Sequence, residues 1–115
     1  MNGSGNYSMF LKGEEAEQAS LKVDFLSLKK SAMILRAMNH KLRQQIVKII
    51  DDNSRMTVTE IYVQLRLEQS VASQHLAILR RAGIVKTSRD GKFIYYQVNT
   101  AKVRQVMKCV DDLVG

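Results

Sequence analysis

The feature that most constrains this chain is a change of hydrophobic period at Gly83. Before it, apolar residues recur every three or four positions, as on one face of a helix. From Ile84 to Val98 they follow a β-type pattern with period two. One element cannot satisfy both periods, so a helix must stop at Gly83, a residue that tolerates the left-handed conformation of a helix C-terminus. Ile84–Ser88 and Phe93–Val98 are the expected strands, joined around Arg89-Asp90-Gly91-Lys92. Asp-Gly is a strong hairpin signal and predicts a type I′ turn, which needs positive φ at both central residues. Ile94, Tyr96 and Val98 share one hairpin face; Phe93, Tyr95 and Gln97 share the other.

Upstream of Gly83 the helical pattern breaks into four pieces. Ser20 is the expected cap of a first helix, striped by Leu21, Phe25, Leu28, Ala32 and Leu35 and widened by Val23, Leu26, Met33 and Ile34. Asn39 can end it and cap a second helix, His40 to about Asp52, with Leu42, Ile46, Ile49 and Ile50 inward. Thr57-Val58-Thr59-Glu60 fits a capping box opening a third helix that ends near Leu65. After Arg66-Leu67-Glu68 a fourth runs from about Gln69 to Ala82, with Val71, Leu76 and Leu79 inward. Beyond the hairpin a last helix starts near Thr100, with Val103, Val106, Met107, Val110, Leu113 and Val114 on its apolar side. The chain has no proline to interrupt any of these helices. Residues 1–18, holding three of the six glycines and a GEEAEQ stretch, read as a flexible arm before a single domain at 19–115. The expected fold is mainly α with a small β-hairpin, in the order helix, helix, helix, helix, hairpin, helix.

Composition narrows the function. No apolar run approaches the roughly 18 residues of a membrane helix, no signal peptide is visible, and the single cysteine excludes a disulfide framework or a Cys-cluster metal site. A cytoplasmic, nucleoid-associated protein is expected. Formal net charge is +7. Residues 66–92 alone hold six basic side chains (Arg66, Arg80, Arg81, Lys86, Arg89, Lys92) against Glu68 and Asp90, which points to a polyanionic partner. Two short helices and a basic hairpin describe a winged helix-turn-helix, in which the second helix enters the major groove of double-stranded DNA. Gln69, Ser70, Ser73 and Gln74 are the expected base-reading residues. Thr59, His75, Arg81, Lys86, Arg89 and Lys92 are the expected backbone and wing contacts.

At this point the run VTEIYVQLRLEQSVASQHLAILRRAGIVKTSRDGKFIYYQV resembles the ArsR/SmtB bacterial repressors. The matching residues are Glu60-Ile61, then Ser70, Ser73, His75, Leu76, Leu79, Ala82, Gly83, Ile84 and Val85, then Arg89, Gly91 and Tyr96. Arg43 matches upstream, while Lys41 stands where the family usually has proline. Over about residues 30–100, the resemblance implies a homodimer formed through the first and last helices, set for a pseudo-palindromic operator. Leu21, Phe25, Leu28, Val103, Met107, Val110 and Leu113 are the expected interface. The family's metal ligands do not carry over: Thr57 and Thr59 occupy the thiol positions of the third helix, and the last-helix ligands fall near Thr100, Lys102 and Leu113. Lys48 occupies the second-helix thiol position of the cysteine-pair sensors, whose distal thiol aligns near Gly115.

No metal, no cofactor and no catalysis are expected. Ser70 and Ser73 lack any nucleophile context, and the two histidines are not clustered with other ligands. His40 reads as solvated and His75 as structural or phosphate-contacting. Cys109, between Val106 and Val110, reads as buried at the dimer seam and is the one candidate redox thiol. The expected function is a sequence-specific, dimeric transcriptional repressor whose effector is non-metal, either a small molecule or an oxidant, or absent. The alternative is a winged-helix interaction or dimerisation module without a specific operator.

Overall fold

The computed structural model describes residues 8–11 and 21–115. The chain divides into two compact units, one up to Met33 and one from Ile34 to Gly115.

In the first unit, strand β1 (Ser8–Leu11) pairs antiparallel with β2 (Leu21–Asp24), Ser8 opposite Asp24 and Leu11 opposite Leu21. Helix α1 (Phe25–Met38) follows at once, its residues from Ile34 onward belonging to the second unit. Asp24 starts it: its Oδ1 accepts the amides of Leu26 at 3.1 Å and Ser27 at 3.2 Å, and its Oδ2 accepts the Ser27 hydroxyl at 3.0 Å. The bonds from the Ser27 amide and hydroxyl hold this carboxyl below its ordinary range, so the cap is charged at neutral pH. Three expectations change here. The segment read as a flexible arm contains a strand, Leu21 lies on a strand, and the helix starts after Asp24 rather than Ser20. Leu21 and Phe25 are four apart, a spacing that the end of a strand running into a helix produces as readily as a helix does. A second hairpin therefore precedes the helices, an element absent from the expected order. The remainder of the 1–18 arm lies outside the described residues.

The second unit carries α2 (Lys41–Asp52), α3 (Val58–Leu65), α4 (Gln69–Arg81), β3 (Val85–Asp90), β4 (Phe93–Val98) and α5 (Thr100–Val114). Its core is built from Ile46 and Ile50 of α2, Ile61 of α3, Leu76 and Leu79 of α4, and Ile84 and Val85 beyond. The capping box at Thr57 is formed: the Glu60 amide donates to Thr57 Oγ1 and the Thr57 amide to Glu60 Oε1 at 2.9 Å. At the end of α4 the Gly83 amide reaches the Arg80 carbonyl and the Ile84 amide the Leu79 carbonyl, both at 3.0 Å, with Gly83 at φ +78°. This paired closure buries Ile84 against Leu79 and turns the chain into β3. The same closure ends α3, where Arg66 takes the left-handed position at φ +56°.

Three local details differ from the expected ones. His40, not Asn39, caps α2, its Nδ1 accepting the Arg43 amide at 3.4 Å. Ile84 precedes the first wing strand instead of starting it, because its side chain is in the core and its carbonyl takes the Asn99 amide at 2.8 Å. The wing turn has Asp90 opposite Phe93, which leaves Gly91-Lys92 as the two-residue loop. Only Gly91 has positive φ, the pattern of a type II′ turn rather than type I′.

Candidate nucleic-acid interface

Helix α4 is two-faced by construction. Ala72, Leu76 and Leu79 are wholly buried, and Gln69, Ser70, Ser73 and Gln74 stand exposed on its first turns. Residues three and four apart share a helix face, so the four polar side chains form one patch where a groove-binding helix presents its readers. Toward the C-terminal end of α4, Ser73, Ala77, Arg80 and Arg81 join Tyr96 of β4 around a hollow of about 380 Å³. The fold thereby brings expected residues Ser73 and Arg81 together and adds Arg80. Charge counting had marked Arg80, but its place beside them depends on the hairpin folding back. Thr59 and Lys86 are exposed on α3 and β3.

The wing tip carries Arg89, whose Nε donates to the Gly91 carbonyl at 3.3 Å, and the exposed Lys92. No side-chain hydrogen bond among the described residues ties either to the four exposed polar residues of α4. The wing is held from the other side. Met56 and Tyr96 exchange backbone hydrogen bonds at 3.0 and 2.7 Å. The Arg55 guanidinium lies 3.9 Å from the centre of the Tyr95 ring and 3.2 Å from an Asp90 oxygen. Arg55 offsets the one acidic side chain at the wing tip, which would otherwise repel phosphate. Nothing in the local pattern of the sequence marks this residue.

His75 faces inward from α4 and is half-buried, its Nδ1 3.2 Å from Nη1 of Arg43 and its ring centroid 4.9 Å from that of His40. Burial first, then the charges of His40 and Arg43, hold its pKa below the ordinary histidine value, so it is neutral at neutral pH. His40 is half-buried as well, a correction to its reading as a solvated residue.

On α5, Val106 is buried and Val103 and Val110 pack against the core, while Met107 and Leu113 are exposed. Leu35, Met38, Val106, Met107 and Val110 line an open apolar groove of about 540 Å³, with Asn39 and Gln44 at its edge. On α1, Phe25 is half-buried and Leu28 exposed. Cys109 is a free thiol, exposed on this chain. Among the described residues no three His, Cys, Asp or Glu side chains come together in a way that could hold a metal ion, and no helix is long and apolar enough to cross a membrane.

A helix with a buried inner face and a polar outer first turn, preceded by a bracing helix and followed by a basic hairpin, defines a winged helix-turn-helix DNA-binding regulator. Residues 40–87 match the family described as bacterial regulatory protein, arsR family. The chain is 35% identical over 92 residues to the transcriptional repressor PagR of Bacillus anthracis, covering 80% of this chain and 92% of that protein. It is 34% identical over 84 residues to the transcriptional activator HlyU of Vibrio cholerae, covering 73% and 77%. The crystal structure of PagR superposes with a TM-score of 0.62 at 36% identity, covering 76% of this chain and 99% of that one. That of HlyU from Vibrio vulnificus gives 0.58 at 34%, covering 76% and 91%. The chain belongs to the ArsR family of bacterial transcriptional regulators, a non-catalytic, sequence-specific DNA-binding group.

Proposed function

We propose that this protein is a dimeric repressor that binds a pseudo-palindromic operator overlapping a promoter. The observation that carries this is the exposed Gln69, Ser70, Ser73 and Gln74 patch on a rigidly seated α4, beside a cluster of basic groups. In this reading those four residues meet base edges, while Thr59, His75, Arg81, Lys86, Arg89 and Lys92 meet phosphates. Two copies join through Phe25 and Leu28 of α1 and Val103, Met107, Val110 and Leu113 of α5, with Leu21 alongside from β2. Similarity to a protein named a repressor supports repression, although a protein named an activator is similar too. The effector is non-metal or absent.

The test is selection of bound duplexes from a randomised pool near physiological salt. Enrichment of an inverted repeat with half-sites about one helical turn apart supports the dimeric regulator. Salt-sensitive binding with no enriched sequence overturns the specific-operator reading in favour of an interaction module. If the enriched repeat lies over a promoter, transcription in vitro from that template gives the sign of regulation.

A further inference from the structure

Arg43 uses all three of its guanidinium nitrogens. Nε donates to the Ala37 carbonyl at 2.8 Å and Nη2 to the Arg36 carbonyl at 3.1 Å, a fork on two carbonyls of the last turn of α1, whose Met38 carbonyl is taken by the Gln44 side chain. Nη1 points the other way, to His75 Nδ1 on α4. A guanidinium has no acceptor, so the contact requires a lone pair on Nδ1 and places the His75 proton on Nε2. His75 follows directly on Ser73 and Gln74, so a shift of its ring moves the turn that carries two of the four readers. The charged and titratable groups facing it are Arg43 and His40, both cationic when charged. No carboxylate among the described residues forms an ion pair with it.

From this geometry we infer that Arg43 is a positioning residue for operator recognition, clamping the recognition helix to the last turn of α1 through the neutral Nε2–H form of His75. The inference rests on the DNA-binding reading above and deepens it. It joins the helix proposed for the subunit contact to the helix proposed for the groove through one side chain. Lysine in place of Arg43 keeps the charge but cannot span three acceptors in a plane. Protonation of His75 removes the acceptor and sets two cations against each other, so the clamp opens in acid.

The test uses the full chain with Arg43→Lys and His75→Gln. Long-range proton–nitrogen NMR spectra of the free protein read the tautomer. They are expected to show unprotonated Nδ1 at His75 in the wild type and a tautomer mixture in Arg43→Lys. A wild-type His75 protonated at Nδ1 overturns the clamp whatever the DNA does. On the duplex enriched by selection, Arg43→Lys is expected to lose about tenfold in affinity while random-sequence affinity changes by less than about twofold. Equal loss on both duplexes, or wild-type affinity for the enriched one, overturns the positioning role. Because the His75 pKa is held below the ordinary histidine value, wild-type affinity should persist through that range and fall only on its acid side, and His75→Gln, which cannot titrate, should lose that acid-side fall. An identical fall in the variant counts against the clamp. If no duplex is enriched by the wild type, the groove reading fails by itself and the spectra still decide the clamp.

Discussion

Helices α4 and α5 carry apolar residues at the same helical spacing, yet their surroundings are opposite. Behind α4, Ala72, Leu76 and Leu79 are all 0% exposed. Along α5, Val106 is buried, but Met107 is 45%, Leu113 72% and Val114 84% exposed. One stripe is consumed by the chain's own core; the other is divided, with Val103, Val106 and Val110 against the core and Met107, Leu113 and Val114 left in water beside an open apolar groove. Helical periodicity therefore says that a face seeks a partner and leaves open whether that partner is the same molecule. This contrast is what motivates assigning α4 to a rigid reading surface and α5 to contact between copies.

The sharpest way to break the contrast is to truncate both stripes. Leu76→Ala should cost about 2–5 kcal/mol of stability in urea unfolding. Leu113→Ala, measured at concentrations where the protein is monomeric, should stay within about 0.5 kcal/mol. Similar losses at low concentration would mean that α5 is closed over by its own chain. Replacing Met107 and Leu113 together by Lys should leave a cooperative unfolding transition intact and halve the mass seen by sedimentation. A dimer that survives this double substitution would move the subunit contact elsewhere.

Within the reading surface, the helix and the wing should separate by specificity. Gln74→Ala is expected to relax preference at one operator position by about 1–3 kcal/mol. Arg89→Ala should instead weaken all duplexes alike and lower the salt slope by about one. An unchanged ranking of duplexes by the Gln74 variant would remove that residue from base readout. The smallest effect concerns the turn between α3 and α4. Arg66→Gly should raise stability by about 1 kcal/mol by relieving a left-handed non-glycine residue. A concurrent loss of DNA affinity would show that the Arg66 side chain has a use that offsets its strain.

The parts of the fold that were legible are those set within a few residues. The capping box at Thr57 and Glu60, the stop at Gly83 and the strands of the wing all depend on neighbours in sequence. The wing turn was placed one residue early, since Asp-Gly and Gly-Lys both put glycine in the loop and only strand register chooses between them. The start of α1 was missed because Ser20 and Asp24 are both good caps, and pairing with Ser8–Leu11 decided between them. The exposure of Gln69, Ser70, Ser73 and Gln74 on α4 was legible because helix geometry alone separates them from Leu76 and Leu79.

The sequence was thus enough for the elements from the second helix onward, the inward residues of α2 and α4, the concentration of basic charge on residues 66–92 and the family resemblance. These follow from backbone periodicity and local hydrogen bonding, which act over at most one or two turns. Only the tertiary structure decided which polar groups meet. Arg43 and His75 are 32 residues apart, and Arg55 and Asp90 are 35 apart. No periodicity encodes such meetings. They arise where apolar faces have already fixed how helices and hairpin pack, and a guanidinium at the rim then binds whichever acceptors the packing brings within reach.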